Sequence, residues 1–322
     1  MKRMIRAIVL SMVLFLSIPQ TALAAQLLIP GGQLVGLELQ NDAVTVAAFD
    51  DVCGGTAREA GLQIGDQILS IDGQPVKAAE DVRRALKNCT GAAEITVLRG
   101  SKQMTLRLMP ADTREGKRIG VYLRQGIAGV GTVTFYDPES DVFGTLGHGV
   151  NDGRGGLLPM TRGRACEASV ASVRKGRPGN PGQLRGSADA DDVLGKITKN
   201  TPQGVFGTSR TGFSGEPLPV AEFSDVTVGP ATIRSTISGD DVREYSVEIL
   251  KIYPNDRVDC RNFLLLVTDP ELLEETGGIV QGMSGSPIIQ NGKLVGAVTH
   301  VLVNDPTRGY GIFIENMLDA AG

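Results

Sequence analysis

The alternation of apolar and polar residues predicts a chain built mainly from short strands joined by glycine-rich turns. Runs rich in Val, Ile and Thr recur along the sequence, as in 44–49, 246–252 and 293–303. Residues 79–88 instead carry Val82, Ala85 and Leu86 at helical spacing. Helical segments are confined to the first third, and strands with turn signals follow from residue 119 onward. This pattern favours a mainly β protein whose larger part is an antiparallel barrel or a pair of barrels.

The first 25 residues have the pattern of a secretory signal. A basic start with Lys2, Arg3 and Arg6 is followed by an apolar run over 7–18 and by Ala22-Leu23-Ala24. The run is short for a membrane span, but an uncleaved N-terminal anchor is the open alternative. In both cases we expect the rest of the chain to be exported.

Composition and charge exclude some functional classes. The formal net charge is −4, without the basic patches that accompany nucleic-acid binding. The four cysteines, Cys53, Cys89, Cys166 and Cys260, form no zinc-binding pattern, and we expect neither a metal nor a cofactor. Three disulfide pairings are possible, and a Cys53–Cys89 bond or buried free thiols would both suit the first domain.

Residues 26–110 have the order of elements of a PDZ domain. The stretch ARE-AGLQIGDQILSIDGQPV, residues 57–76, resembles bacterial PDZ domains in particular. Such domains bind an extended peptide as an added strand and hold its carboxylate on the backbone of a glycine-containing loop. The matching loop here is Gly32-Gln33-Leu34-Val35-Gly36. Residues 111–118 are polar and charged and are predicted to link this domain to a second one, residues 119–322.

The hexapeptide 282–287, GMSGSP, has the features of a serine nucleophile turn. Glycines on both sides of Ser284 permit the open geometry in which a hydroxyl projects and neighbouring amides converge on one oxygen. A hairpin follows, as in chymotrypsin-like peptidases, and that resemblance implies Ser284 as nucleophile and the amides of Gly282 and Ser284 as oxyanion hole. A glycine- and serine-rich turn without a catalytic role is the alternative.

The chain has two histidines that could serve as the general base. His148 lies in a glycine-flanked turn after a strand, whereas His300 lies inside a strand, where histidine is more often structural. We therefore favour His148. The acid that would orient the base is left open by spacing alone among five aspartates, namely Asp137, Asp141, Asp152, Asp269 and Asp305.

Several of these motifs together resemble the SpoIVB peptidase family. They are GTLGHG at 144–149, VQGMSGSP at 280–287, VTHV at 298–301 with NDP at 304–306, IPGGQ at 29–33 and GTVTFY at 131–136. The resemblance implies a chymotrypsin-like catalytic domain with Ser284, His148 and Asp269 as its triad. It also implies a peptidase in the space between the forespore membranes that cleaves itself and a regulatory subunit of an intramembrane protease complex, and so triggers activation of a late sporulation sigma factor. Whether the N-terminus tethers the protein to a membrane stays open.

Two rival functions remain at this point. One is a catalytically inactive PDZ scaffold, and the other is an HtrA-like envelope quality-control protease. HtrA enzymes usually place the PDZ domain after the catalytic domain, which is the reverse of the order predicted here.

Overall fold

The computed structural model describes residues 26–152, 155–254 and 261–322. The predicted signal segment, residues 1–25, and Cys260 lie outside these ranges. Within them, no helix is both long enough and apolar enough to cross a membrane.

The described residues start with two strands whose pairing partners lie far along the chain. Strand β2 pairs on one side with residues 127–132 and on the other with residues 162–167. Strand β2 is not an exposed edge strand, because five of its seven residues are buried and Val35 is completely buried. The bounds are β1 Leu27–Pro30 and β2 Leu34–Gln40.

A PDZ unit is inserted after β2. Its five-stranded sheet has the order β10-β3-β4-β6-β7, with β5 paired to β4. Helix α2 packs its apolar face, Val82 and Leu86, on this sheet. The predicted linker 111–118 is itself a hairpin, β8–β9. The bounds are β3 Val44–Phe49, α1 Gly54–Glu59, β4 Gln67–Ile71, β5 Gln74–Pro75, α2 Ala79–Lys87, β6 Ala93–Arg99, β7 Lys102–Leu108, β8 Ala111–Thr113, β9 Gly116–Arg118 and β10 Val121–Arg124.

After the insertion the chain closes a first six-stranded barrel. Each strand pairs antiparallel with the next in the circuit β2-β11-β12-β15-β14-β13, which returns to β2. Residues on both sides of the PDZ unit are therefore needed to complete this barrel. The bounds are β11 Ile127–Tyr136, β12 Val142–Thr145, β13 Arg162–Arg174, β14 Gln183–Thr201 and β15 Gly204–Ser209.

A second six-stranded barrel follows, with the strand order β17-β18-β19-β22-β21-β20. Strand β19 shows why the chain folds this way, since its residues alternate between buried and half-buried along FLLLV. The bounds are β16 Leu218–Pro219, β17 Gly229–Thr236, β18 Val242–Ile252, β19 Phe263–Val267, α3 Pro270–Thr276, β20 Pro287–Gln290, β21 Lys293–Leu302, β22 Asp305–Phe313 and α4 Ile314–Ala321, with a 3₁₀ turn at Phe223–Asp225.

The predicted fold class is confirmed, but the domain boundaries need correction. The chain is mainly β, with a PDZ domain and antiparallel barrels as expected. The PDZ domain does not begin at residue 26, because 27–40 pair with the first barrel. It also does not end at 110, because β10 pairs with β3 on the PDZ sheet.

The cysteines of the described residues are free thiols. Cys53, Cys89 and Cys166 form no disulfide, so the Cys53–Cys89 alternative is not the one adopted. Cys89 is buried, and its thiol donates a hydrogen bond to the Gly91 carbonyl at 3.0 Å.

Candidate active site

Ser284 lies in a tight turn, residues 280–287, that we call the nucleophile turn. The Met283 amide donates to the Val280 carbonyl at 3.1 Å, and the Ser286 amide donates to the Met283 carbonyl at 3.0 Å. Gly285 has φ +97°, and a Cβ there would lie 2.1 Å from the Thr132 carbonyl oxygen. Only glycine can hold this close approach of the turn to the first barrel.

The two amides predicted to form the oxyanion hole, those of Gly282 and Ser284, are not used in hydrogen bonds within the nucleophile turn. The Gln281 carbonyl accepts from the Leu184 amide at 2.8 Å. Because a trans peptide directs its C=O and N–H to opposite sides, the Gly282 amide faces the other way, and the Met283 carbonyl orients the Ser284 amide in the same manner. Within the described ranges, neither amide donates to a backbone acceptor. Both can therefore donate to an oxygen beside Ser284.

His148 lies on the first barrel, in the turn that follows β12. Leu146 and Gly147 both have positive φ, 69° and 66°, which carries the chain sharply out of the strand. A Cβ on Gly147 would be 2.9 Å from the Thr299 methyl carbon, so this turn packs directly on strand β21 of the second barrel. This turn, residues 146–149, which we call the histidine turn, therefore meets the nucleophile turn where the barrels meet.

The imidazole of His148 is held in the tautomer that a general base needs. Nδ1 lies 3.0 Å from the Gly149 carbonyl oxygen. A carbonyl can only accept, so Nδ1 carries the proton and Nε2 is left with its lone pair. Burial lowers the pKa of His148, opposed by this hydrogen bond, and so favours the neutral ring.

The serine hydroxyl does not donate to histidine in this structure. Ser284 Oγ donates instead to the Thr299 carbonyl at 2.8 Å. The next residue, His300, places its ring against His148 with 5.1 Å between centroids. His300, which the sequence favoured less because histidines inside strands are usually structural, therefore lies in the same site as His148.

Asp269 has a different position from the one expected of a triad acid. It is the N-cap of α3, where Oδ1 accepts from the Leu272 amide at 3.0 Å and Oδ2 from the Ser246 amide at 3.2 Å. Both carboxylate oxygens are engaged by backbone amides, and the hydrogen bond at Nδ1 of His148 goes to a carbonyl. The structure therefore does not bring Asp269 to His148 through a hydrogen bond. The sequence does contain the signal for this role, since Asp before Pro270 is a typical N-cap pattern.

The other candidate acids also have local partners. Asp141 accepts from the Tyr136 hydroxyl at 2.6 Å, and Asp137 accepts from the Ser140 hydroxyl at 2.7 Å. Asp152 accepts from the Gly156 amide at 3.2 Å, and Asp305 accepts from the Thr307 hydroxyl at 2.6 Å.

Asn200 supports the histidine turn and was not singled out by the sequence. Its Oδ1 accepts from the Val150 amide at 2.9 Å, and its Nδ2 donates to the carbonyls of Val150 and Leu158 at 2.9 and 3.0 Å. These three bonds fix the chain immediately after His148. A lone asparagine at a strand end carries no pattern that would have revealed this.

The predicted PDZ peptide loop, 32–36, lies in the wrong place to bind a peptide on the PDZ sheet. Val35 pairs with Gly131 and Glu167, so both edges of this segment are occupied within the first barrel. Its apolar character reflects burial between two barrel strands and not a PDZ strand entry.

The groove of the PDZ unit lies instead between α2 and the edge strand β10. It has a volume of about 330 Å³ and is walled by Val82 and Leu86 of α2. Opposite them runs Arg118-Ile119-Gly120-Val121, where the Gly120 carbonyl accepts from the Asp50 amide at 3.0 Å. Because alternate residues of a strand direct their polar groups to opposite edges, the polar groups of Val121 face the groove. A peptide could add there as a strand.

Comparison with known proteins finds matches to both parts of the chain. Residues 51–99 match the PDZ domain family model. A "Putative zinc metalloprotease Atu1380" of Agrobacterium fabrum is 35% identical over 77 residues, 24% of this chain and 20% of that protein. A "Probable periplasmic serine endoprotease DegP-like" of Pseudomonas fluorescens is 32% identical over 143 residues, 40% of this chain and 29% of that protein. The chain thus spans less than a third of the length of these curated relatives.

Solved structures are similar to parts of this chain, with low sequence identity and low TM-scores. The active form of the Rv3671c protease from M. tuberculosis is 15% identical, with a TM-score of 0.34, over 61% of this chain and 75% of that one. The PDZ domain of an SdrC-like protein from Listeria monocytogenes is 24% identical, with a TM-score of 0.22, over 26% of this chain and 87% of that one.

A second family model matches the larger part of the chain and shows its family. Residues 115–318, more than half of the chain, match the family model SpoIVB peptidase S55. This range includes the histidine turn, the nucleophile turn and every strand of the two barrels except β2. The chain carries a PDZ domain and belongs to the SpoIVB peptidase S55 family.

Proposed function

We propose that the protein cleaves peptide bonds through an acyl-enzyme on Ser284, with His148 as general base. The observation that supports this most is the meeting of two turns: Ser284 beside two outward-facing amides, and His148 with Nε2 available. The hydroxyl would turn from the Thr299 carbonyl toward Nε2 as the substrate binds. No metal or organic cofactor enters this chemistry.

The steps follow from these groups. Nε2 takes the hydroxyl proton while Oγ bonds to the scissile carbonyl carbon, and the amides of Gly282 and Ser284 stabilise the oxyanion. The C–N bond then breaks, and His148 gives its proton to the leaving amine. Water, deprotonated by His148, attacks the acyl-enzyme and restores Ser284.

Asp269 has an indirect role in this proposal. The family resemblance implies Asp269, whereas its carboxylate caps α3. We propose that the Gly149 carbonyl orients His148 in the resting enzyme and that Asp269 acts through the position of α3.

The substrates proposed are the protein itself and a regulatory subunit of an intramembrane protease complex that controls a late sporulation sigma factor. The sporulation role follows the family to which the chain belongs, and we propose that the protein is exported into the space between the forespore membranes. The PDZ groove would hold a C-terminal or extended segment, either of a substrate or of the enzyme itself.

The first test is self-cleavage of purified protein 26–322 followed by mass spectrometry. Fragments should appear with the wild type and be absent with Ser284→Ala and with His148→Ala. Cleavage that persists in either variant would contradict the assignment. Intact wild type, also when mixed with a candidate membrane substrate, would favour the inactive scaffold.

A second candidate is a general envelope protease, favoured by the similarity to the DegP-like endoprotease. Casein is the discriminating substrate. Rapid, extensive degradation of casein would support the general protease, and slow degradation beside efficient self-cleavage would support the dedicated signalling peptidase.

A further inference from the structure

We propose that Thr132 and Thr134 of β11 are positioning residues of the peptidase, whose hydroxyls hold the nucleophile turn in its catalytic shape. The inference rests on the proposed role of Ser284 as nucleophile. It assigns a function to the GTVTFY motif, which the catalytic residues leave unexplained.

The two threonines donate to two different carbonyls of the nucleophile turn. Thr132 Oγ1 donates to the Gly282 carbonyl at 2.9 Å, and Thr134 Oγ1 donates to the Gly285 carbonyl at 2.8 Å. The Thr132 backbone amide adds a third bond, to the Ser284 carbonyl at 2.9 Å. Strand β11 of the first barrel thus makes three hydrogen bonds to the nucleophile turn of the second barrel.

The period of the strand explains why both residues are threonines. Residues two apart on a strand share a face, so Thr132 and Thr134 face the turn, while Val133 between them is buried in the core of the first barrel. Both threonines are almost completely buried. Gly285 is buried as well, so its carbonyl cannot exchange the Thr134 donor for solvent.

These bonds constrain the amides of the oxyanion hole. A peptide group is planar, so a fixed carbonyl also fixes the direction of the next amide. In the peptide after Gly282, the carbonyl accepts from Thr132 and the Met283 amide donates to the Val280 carbonyl. In the peptide after Ser284, the carbonyl also accepts from Thr132, and the Gly285 amide donates to the Val298 carbonyl at 2.7 Å. The Met283–Ser284 peptide between these two planes has little freedom left, and the Ser284 amide stays directed to the cleft.

Thr132 also contacts the turn that carries the base. Its carbonyl oxygen lies 3.4 Å from the Leu146 amide, two residues before His148. A single residue of β11 therefore bonds to both catalytic turns. Its position sets the separation of Ser284 from His148.

The experiment compares Thr132→Val and Thr134→Val with Thr132→Ser and Thr134→Ser in the purified protein. Valine keeps the shape and removes the hydroxyl, whereas serine keeps the hydroxyl. The matched control is Thr236→Val, since Thr236 Oγ1 is buried and also bonds across the barrels, to the Gly32 carbonyl at 3.0 Å. The readouts are the rate at which a fluorophosphonate labels Ser284 and the midpoint of thermal unfolding.

We expect each valine variant to slow labelling by about 10-fold or more, because displaced oxyanion donors no longer stabilise the tetrahedral adduct. The serine variants should recover most of that rate, and Thr236→Val should label like the wild type at a similar loss of thermal midpoint. Wild-type labelling in the valine variants would overturn the inference. If Thr236→Val slows labelling of Ser284 as much as the valine variants of Thr132 and Thr134 do, the two threonines have only a structural role. The same conclusion follows if the serine variants do not restore the labelling rate.

Failure of the proposed function gives a different result. If the wild type is labelled no faster than Ser284→Ala, then Ser284 is not an activated nucleophile, and the peptidase assignment falls together with this inference. Normal labelling of the wild type with unaffected valine variants contradicts the positioning role alone.

Discussion

His148, the proposed base, has the position of its ring proton set by a neighbouring backbone group. The carbonyl of the following residue, Gly149, accepts from Nδ1 at 3.0 Å. Since a carbonyl carries no formal charge, it fixes the tautomer but stabilises the imidazolium less than a carboxylate would. Burial lowers the pKa of His148, and the hydrogen bond to Gly149 opposes this shift only in part.

The pH profile of self-cleavage should reflect this environment. A lowered pKa keeps Nε2 unprotonated to more acidic pH, so the acid limb of the rate should fall below the ordinary histidine value of 6.5. The measurement is the rate of fragment formation between about pH 4.5 and 8. His300→Gln should retain an acid limb, and a limb above 6.5 in the wild type would contradict the prediction.

Asp269 can be tested as a helix cap and as an acid in one series. Asn is as good an N-cap as Asp, whereas Ala removes the acceptor and should lower the free energy of unfolding by about 1 kcal/mol. We therefore expect Asp269→Asn to keep most of the stability and activity, and Asp269→Ala to lose both in part. Thermal unfolding and labelling of Ser284 are measured side by side. An Asn variant that is stable but inactive would make Asp269 the triad acid.

Residues with a chemical signature were found from the sequence, and those that act through geometry were not. Ser284 and His148 stand out because glycines flank them, and the structure brings their turns together. Asn200 and Thr132 act only through hydrogen bonds to distant backbone, which no local pattern reveals. Asp269 was assigned by family resemblance, and its own local pattern favoured the cap.

At the scale of elements, strand β2 shows the limit of pattern-based prediction. Its alternation correctly indicates a strand, but the pairing partners lie about 90 or more residues downstream across an inserted domain. Local periodicity identifies a strand without identifying its neighbours. The PDZ loop was misplaced for that reason, while the helix over 79–87 was found because its period is local.

The end of β14 provides a test at this scale. Asn200→Asp keeps the acceptor for Val150 N but replaces the two donated bonds by repulsion between a carboxylate and two carbonyls. We expect the free energy of unfolding to fall by about 2 kcal/mol and labelling of Ser284 to slow, since the histidine turn loses its anchor. Asn180→Asp, in the exposed 175–182 loop, serves as the surface control. Unchanged labelling with Asn200→Asp would show that the turn holds its shape without this side chain.

At the scale of the whole molecule, the PDZ unit is inserted where two paired strands would otherwise meet. Leu39 pairs with Ile127, and the Gln125 side chain donates to the Asn41 carbonyl at 3.1 Å. The two ends of the insertion are thus adjacent, as they are in domains that tolerate insertion.

Fragments provide the test of these boundaries. Residues 41–126 contain every strand of the PDZ sheet and the buried Ile119, and they should unfold cooperatively. Residues 26–110 lack β10 and carry β1 and β2 without their partners, so this fragment should aggregate or melt without a clear transition. Circular dichroism melting of both distinguishes them. A cooperative transition for 26–110 alone would restore the boundary expected from the sequence.

The insertion also affects how a nicked enzyme would behave. If self-cleavage occurs inside residues 41–126, the shorter piece still supplies β2, which lies between β11 and β13 of the longer piece. Two polypeptides would then separate in denaturing electrophoresis but travel as one particle through a gel-filtration column. Such a nick would leave the catalytic turns assembled while freeing the PDZ groove from one of its two covalent attachments.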